Sequence, residues 1–213
     1  MDIIWHGHSC FKIKGKAATV LTDPFDPEAT GLKLPKDLTA DLVLSSHSHQ
    51  DHNNVSVVPG DPLVLTGPGE YEVKGISVVG VQTYHDGVSG AERGKNTVFN
   101  LIVDGVHIVH LGDLGHQLTE EQLGEIGPCD ILMIPVGGVY TIDAEEAAKV
   151  VAQLEPRVII PMHYKVEGLK YELGEVELFL KQMGSEPQAL VPKLSITKDK
   201  LPDETQVIVL SKS

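Results

Sequence analysis

The sequence predicts an α/β protein whose sheets are covered by helices. Short apolar runs bounded by Gly and Pro recur along the chain, which is typical of buried strands. Helix start and stop signals appear among such runs in the second half. The 213 residues fit one large domain or two small ones. Because we find no linker, repeat or low-complexity tract, we expect a single domain over residues 1–213.

The first half of the chain is predicted to be mostly sheet. Apolar runs of strand length stand between turn residues at positions 3–5, 19–21, 42–44, 63–65 and 76–79. Two more runs, 98–103 and 106–111, flank Asp104-Gly105, a dipeptide that favours a tight hairpin turn. We therefore expect an antiparallel hairpin here.

The second half carries helix signals between further strand-like runs. Thr119 with Gln122, and Asp143 with Glu146, have the spacing of capping boxes, in which a side chain and a backbone N–H cap each other reciprocally. Pro156 is placed to end the second of these helices. The remaining predicted elements are strands at 131–135 and 157–161, a helix at 175–183 and two short strands within 194–213.

Composition narrows the classes of partner and location. The formal net charge is −13 with His neutral, and no basic run is present, which disfavours nucleic acid because its binding depends on Lys and Arg. Apolar stretches are far shorter than the roughly 20 residues that span a bilayer, so we expect no membrane segment. Cys10 and Cys129 cannot form a disulfide framework, and no leader is apparent, which favours a cytoplasmic location. We expect a small-molecule substrate, and a homo-oligomer is compatible with the sequence.

Three histidines and a carboxylate lie within positions 47–52, directly after the apolar run 42–44. In an extended loop, side chains two residues apart point the same way, so His47 and His49 can bind one cation while Asp51 and His52 turn toward a second. Imidazole and carboxylate ligands suit zinc, iron, manganese or nickel better than calcium. The segment therefore predicts a metal site; the alternative is a solvated loop rich in His.

Other ligand-capable side chains follow predicted strands, which is where sites are built in layered α/β proteins. They are His85, Asp113 and His163. Each alone could be an ordinary hydrogen-bonded residue. Together with the 47–52 segment they supply seven ligands, a set that fits two divalent cations sharing a bridging carboxylate and a bridging water.

The His-x-His-x-Asp-His element resembles the signature of the metallo-β-lactamase superfamily of metal-dependent hydrolases, and so do the later His85, Gly-Asp113 and Met-His163-Tyr. More narrowly, the segments 5–11, 22–25, 135–138 and 160–164 resemble its small, single-domain bacterial branch, which is related to the ascorbate-6-phosphate lactonase and the N-acyl-phosphatidylethanolamine phospholipase D. The resemblance implies a four-layer αβ/βα sandwich with the site at one rim. It also implies two metal sites bridged by Asp113. One ion is held by His47, His49 and His85, and the other by Asp51, His52 and His163. Both ions are most simply zinc.

The resemblance implies hydrolysis of a small ester, lactone or phosphodiester by a metal-bound hydroxide, with Asp51 orienting the nucleophile as well as binding metal. The oxygen-reducing di-iron members carry Glu where this chain has His49, so hydrolysis is favoured over redox chemistry. One alternative is a metal-binding or sensing protein without catalysis. Nuclease activity is less favoured, because a basic arm is lacking.

Two histidines outside the ligand set are candidates for contacting substrate or delivering a proton to the leaving group. They are His8, in Gly-His-Ser, and His116, three residues after Asp113. For each, a structural role is the alternative. His6, His107 and His110 lie inside strand-like runs and are expected to be structural.

Further polar residues have both a functional and a structural interpretation. Asp23 could accept a hydrogen bond from a metal-bound His, or be a turn residue before Pro. Arg93 or Lys95 could bind an anionic substrate, although a solvated turn is the favoured interpretation. Tyr164 could contact an oxyanion or pack in the interior.

Overall fold

In the computed structural model, which describes residues 1–186 and 189–213, strands predominate in the first half and the longer helices lie in the second. The strands, in chain order, are β1 (Asp2–Gly7), β2 (Cys10–Lys14), β3 (Thr19–Thr22), β4 (Leu42–Leu44), β5 (Leu63–Leu65), β6 (Gly69–Val73), β7 (Ile76–Tyr84), β8 (Lys95–Val103), β9 (Val106–His110), β10 (Ile131–Pro135), β11 (Val158–Met162), β12 (Leu194–Ser195) and β13 (Gln206–Val207). The helices are α1 (Pro27–Thr30), α2 (Glu120–Ile126), α3 (Ala144–Leu154) and α4 (Val176–Gln182), with 3₁₀ turns at Val55–Val57 and Lys198–Lys200.

These strands form two mixed sheets. The first has the order β12-β1-β2-β3-β4-β5 and the second β13-β11-β10-β9-β8-β7-β6. In the first sheet β1, β2 and β3 are antiparallel neighbours, whereas β3, β4 and β5 are parallel. In the second sheet the strands from β6 to β9 are antiparallel neighbours, and β9, β10 and β11 are parallel. As a result, β1, β3 and β4 all end at one rim of the first sheet, and β7, β9, β10 and β11 all end at one rim of the second.

The predicted hairpin is confirmed. Strands β8 and β9 pair in antiparallel register with Val103 opposite Val106, and the turn between them is Asp104-Gly105. Both turn residues have positive φ, 52° and 81°, as a two-residue turn that matches the twist of its strands requires.

The two predicted capping boxes are also confirmed. The Thr119 side chain accepts from the backbone of Gln122 at the start of α2, and Asp143 accepts from the backbone of Glu146 at the start of α3. The predicted helix over 175–183 is present as α4. The tail forms its two short strands, which pair with different sheets: β12 with β1, and β13 with β11.

The main hydrophobic core lies between the two sheets and continues under the helices of the second. Because side chains alternate along a strand, Val20 and Leu42 join this core while Leu21 and Val43 face the opposite side of the first sheet. That outer side is covered by the loops on either side of α1 and by the 3₁₀ turn at Val55–Val57, with Phe25 fully buried there. The predicted α/β sandwich is confirmed, and its helical layer over the first sheet is short.

Cys10 and Cys129 are free thiols, and burial raises the pKa of both above the ordinary value.

Within residues 1–186 and 189–213, no helix combines the length and apolar character needed to cross a membrane.

Candidate metal centre

The rims of the two sheets bring the predicted ligands together, since each follows a strand that ends there. The 47–52 segment follows β4, His85 follows β7, Asp113 comes three residues after β9, and His163 follows β11. Gly112 (φ 55°) allows the β9 loop to approach the 47–52 segment, because a Cβ at this position would overlap Asn96 Oδ1 and the Ser46 side chain.

Asp113 is the centre of the cluster. Its Oδ2 lies 3.1 Å from His85 Nε2, 3.2 Å from His163 Nε2 and 3.3 Å from His52 Nε2. The carboxylate is 2 % exposed, and its backbone N–H donates to Asn96 Oδ1 at 3.0 Å. One buried oxygen therefore faces three imidazole nitrogens that come from both sheets.

The ligand-capable atoms fall into compact groups, in each of which all the atoms lie within 4.8 Å of one another. The first group contains His47, His49 and His85; the second contains His8, Asp51, His52 and His163; and a third joins His47, His52 and Asp113. The first two groups match the two ligand sets that the sequence resemblance implied, with His8 added to the second. Asp113 lies between them.

A carboxylate behind the cluster orients two of the histidines. Asp23 Oδ2 lies 2.9 Å from His52 Nδ1 and 2.7 Å from Ser46 Oγ, and Asp23 Oδ1 accepts from the Ser46 backbone N–H at 2.7 Å. Ser46 Oγ in turn lies 2.9 Å from His47 Nδ1. With both Nδ1 atoms donating to these oxygens, the Nε2 atoms of His47 and His52 carry the lone pairs that bind metal.

The residues present fit a bound cation. Among the described residues, His47 Nε2, His52 Nε2 and Asp113 Oδ1 are buried without a hydrogen-bond partner. Such orphaned polar atoms are rare in folded proteins and call for a missing partner. His52 Nε2 faces Asp113 Oδ2, and two acceptors can face each other at 3.3 Å only with a proton or a cation between them. The donor set of imidazole and carboxylate is the one that zinc and similar divalent ions accept.

The electrostatics of the cluster favour a cation. Burial, together with the neighbouring His52, lowers the pKa of His47 to about 3, so this imidazole is neutral, the form that binds metal. Burial tends to raise the pKa of Asp113, but the facing histidines, His163 and His52, outweigh it and hold the pKa well below the ordinary value. Burial tends to lower the pKa of His52, but the carboxylates of Asp113 and Asp23 outweigh this effect and raise it. A bound cation would therefore compete with a proton at this residue.

Three residues around the cluster have a strained backbone. His8, Asp23 and His163 adopt positive φ values of 53°, 39° and 52°. This left-handed region costs L-residues about 1–2 kcal/mol each, and strain of this kind persists where the surrounding structure fixes it, typically at functional sites. The His163 backbone N–H donates to the His8 carbonyl at 3.1 Å, so the loops after β11 and β1 hold each other.

An open pocket of about 420 Å³ lies over the cluster. Its lining consists of Ser48, His49, Gln50, Asp51, His85, Arg93, Asp113, Tyr140, His163 and Tyr171. Several predicted metal ligands therefore reach a cavity large enough for a small molecule.

The two histidines predicted to contact substrate or deliver a proton are placed differently. His8 is 1 % exposed and lies behind Asp51, with its Nε2 3.1 Å from Asp51 Oδ2. Burial lowers the pKa of His8 to about 4, so the neutral ring donates to the carboxylate. His116 is not brought to the cluster: its Nε2 accepts from the Tyr84 backbone N–H, and its Nδ1 lies 2.7 Å from the Gln117 carbonyl. Both ring nitrogens of His116 are thus occupied by backbone groups.

The other polar residues singled out from the sequence also differ in whether they line a cavity or pack in the interior. Arg93 lines the pocket, and Lys95 lines a second cavity next to it. Tyr164 is 5 % exposed and packs with its ring 5.1 Å from that of Trp5. Sequence reasoning missed Tyr140 and Tyr171 in the pocket wall; the signal for Tyr140 was its position in the loop after β10, at the same rim.

Comparison with known proteins agrees with this geometry. Residues 2–163 match the beta-lactamase superfamily domain. The chain is 32% identical over 192 residues to a UPF0173 metal-dependent hydrolase of Thermoplasma acidophilum, covering 79% of this chain and 85% of that protein. A UPF0173 metal-dependent hydrolase of Thermococcus onnurineus is 32% identical over 215 residues, with 88% and 94% covered.

A solved structure is more similar still. A Thermotoga maritima protein described as a zinc-dependent hydrolase of the metallo-β-lactamase superfamily superimposes with a TM-score of 0.81 and 41% identity, over 98% of this chain and 97% of that one. Its similarity extends beyond the matched domain into the α4 and tail region. The chain therefore belongs to the metallo-β-lactamase superfamily and, within it, to the UPF0173 metal-dependent hydrolases.

Proposed function

We propose that this metal-dependent hydrolase uses a dinuclear centre to cleave a small ester, lactone or phosphodiester. In this proposal one ion is held by His47, His49 and His85, the other by Asp51, His52 and His163, and Asp113 is shared. Zinc is the favoured metal because of the donor set and because the similar Thermotoga maritima protein is described as zinc-dependent. Manganese, iron and nickel are accepted by the same donors.

The observation that carries the proposal is the position of Asp113 Oδ2, within 3.3 Å of one imidazole from the first ligand group and two from the second. A carboxylate in that position can serve two ions at once. The open pocket beside it leaves room for a substrate and water, which a purely structural metal site does not need.

Bound divalent ions would supply Lewis acidity and lower the pKa of water toward neutrality. The protein's own residues contribute by positioning water. Asp51 lines the pocket and is fixed from behind by His8, so it can orient water toward the scissile bond. In the reaction the water oxygen bonds to the carbonyl carbon or phosphorus, the bond to the leaving oxygen breaks, and that oxygen leaves with a proton.

The test is a panel of carboxylic esters, lactones and phosphodiesters, assayed with protein loaded with zinc or manganese and with chelated protein. Turnover of one class is expected to require metal and to fall by about 100-fold or more in Asp113→Asn. Asp61→Asn removes an exposed carboxylate elsewhere and is expected to behave as the parent. Tight metal binding with no turnover of any class would instead support the non-catalytic metal-binding or sensing alternative.

A further inference from the structure

Arg93 lies at the junction of two cavities. It lines the 420 Å³ pocket over the metal cluster and also the neighbouring cavity of about 380 Å³, whose wall includes Lys95 and His47. Ser48 and His49 are shared by the two linings, so the cavities adjoin at the cluster. Arg93 therefore borders both spaces next to the metal cluster.

The backbone that carries Arg93 is fixed by one carboxylate. Asp86 Oδ1 accepts from the N–H groups of Val88 and Gly90 at 2.9 and 2.7 Å, and Asp86 Oδ2 from those of Glu92 and Arg93 at 3.0 and 2.8 Å. Burial tends to raise the pKa of Asp86, but these four donors outweigh it and hold the pKa below its ordinary value. Asp86 directly follows the predicted ligand His85. The loop is therefore held at a set position relative to the cluster, which argues against a merely solvated turn.

The Arg93 side chain is also placed. Its Nη2 donates to the Val139 carbonyl at 3.4 Å, and its guanidinium carbon lies 5.8 Å from the centre of the Tyr140 ring. Val139 has φ of 64°, an uncommon conformation for a β-branched residue, and is 64 % exposed. The strained loop after β10 therefore holds the Tyr140 ring close to the Arg93 guanidinium.

Tyr140 and Tyr171 form an aromatic wall of the same pocket. Their ring centres are 6.1 Å apart at 75°, an edge-to-face arrangement, and Tyr171 stacks at 5.9 Å on the buried ring of His8. Tyr140 is 38 % exposed, so part of its surface is available to a ligand. A flat apolar group fits such a wall, because aromatic faces bury large areas at low entropic cost.

The charge of Arg93 is available to a ligand. Its nearest carboxylate is Glu92, with 3.8 Å between the ionic groups and side-chain exposures of 36 % and 68 %, and such exposed pairs contribute little. The chain as a whole carries a net charge of −13, which repels anions, so a cationic side chain on the pocket wall adds to the attraction that bound divalent ions would supply. A guanidinium can bind a carboxylate or phosphate through two parallel hydrogen bonds.

We propose, on the basis of the hydrolase function above, that the substrate is a small aryl or similarly flat apolar compound with an anionic substituent. The anion binds to Arg93, the flat group contacts Tyr140 and Tyr171, and the scissile bond lies over Asp113. Arg93, Tyr140 and Tyr171 are then the residues that determine specificity, and Asp86 positions Arg93.

Binding of chosen probes to the zinc-loaded protein, measured by titration calorimetry, tests this assignment. The probes are phenylphosphonate, methylphosphonate, benzoate and benzyl alcohol, so that the flat group and the anion are varied separately and phosphonate is compared with carboxylate. Arg93→Gln is expected to weaken phenylphosphonate by about 10-fold or more, as loss of a charged hydrogen bond does, and to leave benzyl alcohol unchanged. Arg157→Gln, which removes the same charge before β11 at the opposite rim, is the matched control.

A separate double variant tests the contact of the flat group with the two tyrosines. Tyr140→Leu combined with Tyr171→Leu is expected to abolish the preference for phenylphosphonate over methylphosphonate while zinc content stays at the parent level. Equal affinity of Arg93→Gln and parent for phenylphosphonate, or equal affinity of the parent for phenyl and methyl probes, overturns the assignment. If these binding effects occur but no ester, lactone or phosphodiester is turned over, the hydrolytic proposal fails and the ligand site stands. If a substrate is turned over but these binding effects are not observed, only the ligand assignment fails.

Discussion

His52 Nδ1 lies 2.9 Å from Asp23 Oδ2, and this contact links the loops that follow β4 and β3. The same carboxylate accepts from both the backbone N–H and the hydroxyl of Ser46. Asp23 is 1 % exposed, so these hydrogen bonds help to offset the cost of burying its charge. The contact fixes the imidazole with its Nε2 toward Asp113.

Asp23→Asn is expected to weaken zinc binding by about 10–100-fold, as is typical when the partner of a metal-binding His is changed. An amide NH₂ facing His52 Nδ1 forces that nitrogen to accept, which moves the ring proton to Nε2 and removes the lone pair there. Competition with a chromophoric chelator measures the affinity. Asp61→Asn, an equal charge change at an exposed site, is the control; unchanged zinc affinity in Asp23→Asn would contradict the role given to this contact.

His8→Gln is expected to loosen one half of the centre selectively. His8 donates to Asp51 at 3.1 Å, so its loss frees a carboxylate of the second ligand group and leaves the His47, His49 and His85 group intact. We expect one zinc equivalent to bind as in the parent and the other to bind about 10-fold more weakly or worse. Calorimetric zinc titration resolves the two, with His107→Gln on β9 as control. Equal weakening of both equivalents, or of neither, would argue against a positioning role for His8.

Asp86→Ala is expected to release the loop that carries Arg93. Four backbone N–H groups lose their shared acceptor, so hydrogen exchange of the amides at 88, 90, 92 and 93 should accelerate by about 10-fold or more. Amides of β8 and β9 should be unaffected. The exposed Asp203→Ala is the control. Parent-like exchange across the loop would mean that other contacts hold it.

His6 is expected to make stability depend on pH below neutrality. Burial, reinforced by Lys12 and Lys212, lowers the pKa of His6 from 6.5 to about 4. Below pH 6.5 the unfolded chain therefore takes up a proton that the folded chain refuses until about pH 4, so stability is lost as the pH falls through this window. At 1.36 kcal/mol per pKa unit the loss attributable to His6 is about 3 kcal/mol.

Urea unfolding of parent and His6→Gln between pH 7 and 4 measures that contribution. The free energy of unfolding of the variant should fall less steeply with decreasing pH, by the equivalent of about one proton. His107→Gln, also on a strand, is the control. Parallel pH dependences of parent and His6→Gln would show that the buried His6 ring does not resist protonation.

Local signals in the sequence predicted local structure well. Asp104-Gly105 specified a hairpin because its conformation depends on the two residues themselves, and the capping boxes at Thr119 and Asp143 depend on residues three positions apart. Ligand candidates could be selected because each stands at the end of an apolar run, and parallel strands bring such ends to one rim.

Features that depend on how distant loops meet were not accessible in this way. Tyr140 and Tyr171 are brought within 6.1 Å by loops from different parts of the chain, and neither has a local motif. His116 looked like a neighbour of the site from its spacing to Asp113, but the turn directs its ring to backbone groups of Tyr84 and Gln117. The position of Arg93 on the pocket wall could not be predicted either, because the four hydrogen bonds to Asp86 that fix its loop cannot be read from composition.

The shared position of Asp113 is tested most directly by anomalous diffraction at the zinc absorption edge, from crystals of the zinc-loaded protein. The proposed centre predicts two peaks, one coordinated by His47, His49 and His85 and one by Asp51, His52 and His163, with Asp113 contacting both. A single peak, or two peaks of which Asp113 contacts only one, would contradict it.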